Sequence, residues 1–298
     1  TTTFVDPDDP SNFAKAVKDN TKVIYAETIG NPKLDVVDIS EVSKTAKKEK
    51  IPFIVDNTVA TPYLIKPIEH GADIVIHSTT KYITGNGTSI GGIIIDAGKF
   101  DWSSGKFSEF TEPSPGYHGL IYHEALGPAA FIAKARIEGL RDLGSAPSPF
   151  NCFQTIQGLE TLSVRIKKHS ENALKVAEWL ESQEAIAWVN YPGLKSSKYH
   201  ELSKKYLKNG QSGIVTFGLK KGFEGGKKLT DSTKIFSLLA NFGDSKSLII
   251  HPASTTHQQL SEEEQEKTGV TADLIRLSIG LEDPNDLIND LSESMKRV

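Results

Sequence analysis

Four short runs of apolar, mostly β-branched residues punctuate the first third of the chain: KVIYAET (22–28), PFIVDN (52–57), DIVIHS (73–78) and GGIIID (91–96). Segments of helical character separate the first three, DISEVSKTAKKEK at 38–50 and KPIEHG at 66–71. Continuous apolar runs, unlike alternating ones, mark strands buried on both faces, and their alternation with helices predicts a parallel sheet. Ligands of such sheets gather beyond the carboxyl ends of the strands. The residues placed there are Glu27 and Asn31, then Asp56, then Ser78, Thr80 and Lys81.

The pattern changes after that sheet. Residues 101–119 have no periodicity and are rich in Ser, Gly and Pro, which predicts a long loop of the kind that covers enzyme sites. A helix is expected over 124–141, and Pro147-Ser148-Pro149 marks a boundary. A long helix over 151–183 follows, with Leu159, Leu162, Ile166, Ala173, Val176 and Leu180 as its apolar stripe. Strands near 186–191, 213–219, 247–251 and 274–280 then alternate with helices. The expectation is an α/β domain over 1–146 with a helix-covered, mostly parallel sheet, followed by a smaller α+β domain over 147–298. The acidic run at 261–266 reads as a solvated helix face.

Composition narrows the function classes. At 298 residues the chain has the size at which single cores divide. A net charge of −4 leaves no basic footprint for nucleic acid and no polybasic membrane patch. No apolar run approaches the roughly 20 residues of a membrane-spanning helix, and no signal-like segment opens the chain. The single cysteine, Cys152, cannot form an internal disulfide, which suits a reducing cytoplasm, and it reads as a small core residue. The only methionine is Met295 and the chain opens on Thr1, so part of a longer polypeptide is expected.

A lysine just past a strand is most often a solvated side chain, and Lys81 taken alone carries that reading. Its neighbours change it. Ser78 and Thr80 lie two apart, so in an extended segment both hydroxyls point to one side and can seat a phosphate. Asp56 can cap the Asn57-Thr58 turn. It also closes the apolar run Phe53-Ile54-Val55, where an ionised carboxylate needs a cationic partner. A protonated pyridine nitrogen is such a partner. Lysine, carboxylate and phosphate seat together are what pyridoxal 5′-phosphate requires. Further on, Arg276 and Ser278 share one face of 274–279 and Ile275, Leu277 and Ile279 the other, so Arg276 can grip a carboxylate bidentately or stand as an ordinary sheet arginine. His251 and His257 have no Cys or carboxylate at ligand spacing, and no metal is expected.

The motifs ETIGNP (27–32), VDNTVATPY (55–63), HSTTKYITGNGT (77–88), GLETLSVRIKKHSENA (158–173) and LIRLSIGLED (274–283) resemble, in order and spacing, those of the Cys/Met-metabolism family of pyridoxal-phosphate enzymes, which have fold type I. Within it, the extended segment at 99–125 and LLANFGDSKSLIIHP (238–252) are similar to the O-acetylhomoserine sulfhydrylase branch. The resemblance implies a Schiff-base role for Lys81, pairing of Asp56 with the pyridinium nitrogen, and Ser78 and Thr80 as phosphate ligands, with Thr58 in the same cofactor set. It implies that Asn31 hydrogen-bonds the ring's phenolic oxygen, that Arg276 grips the substrate α-carboxylate with Thr256 orienting it, and that Asn241 helps bind that carboxylate. The reaction implied is formation of homocysteine from O-acetylhomoserine and sulfide. Cystathionine γ-synthase or methionine γ-lyase chemistry stays open at this point, as does a non-catalytic assembly module. A cytoplasmic homotetramer with sites shared between subunits is the implied assembly. The family's chains begin earlier, and that preceding part supplies an aromatic stacked on the ring, phosphate-binding amides and a Tyr/Arg pair for a neighbouring site.

Overall fold

A computed structural model describes residues 1–298. Its first sheet has the order β1 (Ile24–Glu27), β2 (Phe53–Asp56), β3 (Ile74–Ser78) and β4 (Gly92–Asp96). β1, β2 and β3 are parallel, with Glu27 in register with Asp56 and Asp56 with Ile76. β4 runs antiparallel to β3 and forms the sheet's outer edge. The sequence periods locate all four strands within two residues at each end. The crossover between β1 and β2 is the helix Ile39–Glu49, which buries Ile39, Val42 and Ala46 on one side. Asp38 caps it, and Lys50 ends it in the left-handed region at φ 55°.

The second sheet has the order β5-β6-β9-β8-β7, with β5 Ile186–Asn190, β6 Ile214–Leu219, β7 Ser237–Leu238, β8 Leu248–Ile250 and β9 Leu274–Ser278. β6, β9 and β8 are antiparallel neighbours, and the two-residue β7 is too short to show a period in the sequence. The long helix Pro149–Glu181 joins the two halves. Ser148 caps it by accepting the Asn151 backbone N–H, and Pro149 occupies the first turn, where its missing N–H removes nothing. Leu162 and Ile166 pack into the core around the first sheet, and Ala173, Val176, Ala177 and Leu180 into that of the second. The two sheets fall on either side of residue 147, the position we propose as the domain division.

Three expectations change. The helix expected over 124–141 is broken into the short turns Tyr122–Leu126, Gly127–Ala129 and Ala130–Lys134, followed by a wider π-type stretch, Ala135–Asp142. Gly127 stands at φ +50° and Pro128 brings no N–H, so a continuous ladder cannot pass them. Leu159 is 51% exposed rather than part of the buried stripe, because the stripe turns inward only from Leu162 onward. Cys152 is exposed, not a core residue. It shares the exposed amino-terminal half of the helix with Phe150, Phe153, Ile156 and Val164.

The segment 99–125 is tied down by its own aromatic core, in which Trp102 stacks on Phe110 and Phe131 and meets Phe107 edge-on. Ile93 and Ile94 on β4, which face opposite sides of the sheet, are each 48% exposed. No helix is long and apolar enough to cross a membrane.

Candidate functional site

The carboxyl ends of β1, β2 and β3 open onto a cavity of about 210 Å³ lined by Glu27, Asn31, Asp56, Thr58, Ser78, Lys81 and Phe242, with Ile29 and Val59 beneath. Glu27, Asp56 and Ser78 stand there because they end the three strands, and Asn31, Thr58 and Lys81 come from the segments that follow.

Lys81 lies in the turn that follows β3. Its Nζ donates to Asn241 Oδ1 at 2.5 Å and stands 4.8 Å from the Phe242 ring centroid. Burial, and then the nearby charge of Arg276, lower its pKa from the usual lysine range. A larger share of the amine is therefore unprotonated near neutrality, the form that attacks carbonyls and accepts protons. The turn itself is clamped to the long helix. Arg165 donates to the carbonyls of Tyr82 at 2.7 Å, Ile83 at 3.0 Å and Gly158 at 2.6 Å. A Cβ on Gly158 would stand 2.4 Å from the Ile83 carbonyl oxygen, so only glycine lets helix and turn approach this closely.

Asp56 caps the local turn, one of the two roles anticipated for it. One carboxylate oxygen accepts the Thr58 N–H at 2.9 Å, a local turn bond, and the other accepts the Tyr25 hydroxyl at 3.1 Å. The side chain nonetheless faces the cavity. Thr58 in turn accepts the Ser78 N–H through its hydroxyl at 2.8 Å, tying the ends of β2 and β3 together.

Arg276 is no exposed sheet arginine. It sits mid-sheet on β9, between Thr216 of β6 and Ile250 of β8, and is 8% exposed. Its guanidinium donates to Asn31 Oδ1 at 3.2 Å and to the Asn241 backbone carbonyl at 3.0 Å, while the buried Nε has no partner. No carboxylate pairs with it, and burial lowers its pKa to about 10. A buried arginine without a counter-ion has the donors to receive a carboxylate.

Two expected residues are placed otherwise. β3 ends at Ser78, and Thr79 to Lys81 form a turn, so the two-residue alternation does not extend to Thr80. The Thr80 hydroxyl is engaged with Gly91, accepting its N–H at 3.1 Å, and does not line the cavity. Thr256 is exposed and bonds His257, not Arg276, whose orientation comes from Asn31 and Asn241. Asn241 therefore touches both cations, the Lys81 amine with its side chain and Arg276 with its backbone. Both ring nitrogens of His251 are used, one on Ser254 and one on the Ala272 carbonyl.

Sequence reasoning missed Tyr25, Phe242 and Arg165. Tyr25 lies two before Glu27 on β1, and Phe242 adjoins Asn241. Nothing in the local pattern announced Arg165, whose partners are backbone atoms far away in the chain.

An amine of lowered basicity, a carboxylate and hydroxyls around one cavity, with an arginine behind Asn31 that has no counter-ion, fit pyridoxal phosphate and an amino-acid substrate. The family model described as Cys/Met metabolism PLP-dependent enzyme matches residues 1–296. The O-acetyl-L-homoserine sulfhydrylase of Leptospira meyeri is 56% identical over 99% of this chain and 69% of its own length. The homocysteine/cysteine synthase of Kluyveromyces lactis is 50% identical over 99% of this chain and 69% of its own. A solved structure from Campylobacter jejuni, assigned as an O-acetylhomoserine (thiol)-lyase and carrying a pyridoxyl-lysine phosphate, superposes with a TM-score of 0.93 at 47% identity, covering 98% of this chain and 70% of that one.

Proposed function

Since the chain belongs to the Cys/Met-metabolism family of pyridoxal-phosphate-dependent enzymes, we propose that it is the catalytic part of an O-acetylhomoserine sulfhydrylase, making homocysteine from O-acetylhomoserine and sulfide. The observation that carries this reading is the cavity in which Lys81, Asp56 and Ser78 meet, with Arg276 unpaired beside Asn31 and Asn241. Pyridoxal phosphate, when bound, supplies an electron sink for negative charge developing at the substrate Cα.

The chain's residues would do the rest. Lys81 would hold the cofactor and, once released, carry protons at Cα and Cβ, its lowered basicity suiting it to both directions of transfer. Asp56, fixed by Thr58 and Tyr25, would keep a negative charge at the ring nitrogen. Ser78 would take the phosphate, with Thr58 holding its backbone in place. Arg276 would bind the substrate α-carboxylate, and Asn241 would hold the Lys81 amine close to that end of the substrate. Acetate would leave from Cγ and sulfide would take its place. The segment at 99–125, expected to cover the site, instead leaves β4 at the amino ends of the strands, where Lys106 donates to the Glu49 carbonyl, and none of its residues lines the cavity.

The apolar, exposed half of the long helix, with Phe150, Phe153, Ile156 and Leu159, suits a subunit contact, and a cytoplasmic homo-oligomer is part of the proposal. Homocysteine formation with pyridoxal phosphate, O-acetylhomoserine and sulfide tests the reading. A higher kcat/KM with cysteine than with sulfide would make the enzyme a cystathionine synthase, and methanethiol release from methionine alone would make it a lyase.

A further inference from the structure

Glu27 has no part in the chemistry outlined above, yet it is built into the same cavity. It closes β1 in register with Asp56 at the end of β2, so the two carboxyls leave the sheet on one side, and both line the cavity. One Glu27 oxygen accepts the backbone N–H of Asn31 at 3.1 Å. The side chain of Asn31 in turn accepts from Arg276 at 3.2 Å. A continuous path of hydrogen bonds thus runs from the Glu27 carboxyl through Asn31 to the guanidinium.

On one side the exposed Glu27 also lines a larger open cavity with Lys22, Lys33 and Lys267, while towards the site its neighbours are acidic. Asp56 faces it from β2, Asp35 from the loop after Pro32, and the Tyr25 phenol from its own strand. The cations of the site are committed elsewhere, Lys81 to Asn241 and Arg276 to Asn31 and Asn241, and no salt bridge reaches Glu27. Burial, and then the Asp56 charge, raise its pKa to about 7. Neighbouring carboxylates titrate as a pair, and the proton stays on the one with fewer compensating donors, here Glu27 with the Asn31 N–H alone. Asp56 has two donors, the Thr58 N–H and the Tyr25 hydroxyl.

We propose that Glu27 is a positioning residue that holds Asn31, and through it Arg276, as a neutral carboxylic acid, and that loss of its proton weakens binding of the substrate carboxylate. The proposal rests on Arg276 being the carboxylate grip. A second negative charge entering the cavity opposes an anionic ligand by an amount that corresponds to about tenfold in affinity for charges ~10 Å apart at an effective dielectric of about 20.

The probe is L-norvaline, which carries the α-carboxylate and lacks a leaving group, with its Kd measured calorimetrically on the cofactor-loaded protein from pH 5.5 to 8.5. In the parent, affinity should fall about tenfold more between pH 6 and pH 8 than in Glu27→Gln, which cannot ionise but still accepts the Asn31 N–H. Glu27→Ala loses that acceptor and should bind more weakly than Glu27→Gln at every pH. An unchanged pH dependence in Glu27→Gln overturns the proposal, and that variant decides alone if Glu27→Ala does not fold. Arg276→Lys separates the two readings. If it leaves norvaline binding intact, the carboxylate assignment fails. If it weakens binding while Glu27→Gln keeps the parent's pH dependence, only the role of Glu27 fails.

Discussion

At the scale of single residues, the site turns on what burial does to two cations. Lys81 and Arg276 both lose basicity, Lys81 by burial and then by its neighbour's charge, Arg276 by burial. The proposed cofactor and substrate would supply what each lacks, a carbonyl for the amine and a carboxylate for the guanidinium. Lys81→Ala should therefore abolish nearly all turnover together with the visible absorbance of lysine-bound cofactor. Turnover at a substantial fraction of the parent's would remove Lys81 from its proposed role. Most of this set is legible in the sequence, because Asp56, Ser78 and Lys81 each follow or close an apolar run and so fall at the strand ends. Thr80 and Thr256 are misplaced by the same reading for a local reason. Period-two alternation holds only while the backbone stays extended, and β3 stops at Ser78; Thr256 comes from the family resemblance alone, which carries no side-chain direction.

At the scale of elements, the turn bearing Lys81 is held by something no strand or helix period encodes. The long helix meets it at Gly158, and Arg165 closes the contact by bonding three backbone carbonyls. Gly158→Ala would place its methyl against the Ile83 and Thr84 carbonyls, which cannot rotate away as a side chain could. Overpacking of this kind costs roughly 1–3 kcal/mol, and it should reduce kcat as well, since the displaced element carries the amine. Urea unfolding and steady-state rates on the same preparation test this; a variant with parental rate and stability would show that helix and turn move independently. The elements themselves are readable where packing follows period, as in the helix Ile39–Glu49 and in β9. The expected helix over 124–141 fails because Gly127 and Pro128 outweigh the apolar spacing around them. The exposed Leu159 and Cys152 follow from the long helix serving two cores only beyond Gly158, which no local pattern states.

For the whole molecule, the exposed Glu27 and the buried His169 oppose each other in their response to pH. The Glu27 pKa is raised from 4.5 to about 7 in the folded chain, so its contribution to stability is complete below pH 4.5 and is lost as pH rises through 7. That of His169, buried against the Ile279 carbonyl, is lowered from 6.5 to about 4 by burial, so its contribution is complete above pH 6.5 and is lost as pH falls through 4. His169 is worth about 3 kcal/mol over its range, while Glu27, on an exposed strand end, is screened by solvent to a fraction of that and has the opposite sign. Glu27→Gln should thus be little different from the parent near pH 4.5 and more stable at pH 8 by about 1 kcal/mol at most; a difference that does not change with pH would contradict the raised pKa of Glu27. The open edge of β4 has a consequence of another kind, for the colloidal behaviour of the purified chain. Its outward backbone groups are free to extend a ladder, and Ile93 and Ile94 offer apolar contacts on both sides of it. Light scattering should grow with concentration, and one lysine, Ile94→Lys, should suppress it by making edge-to-edge stacking repulsive.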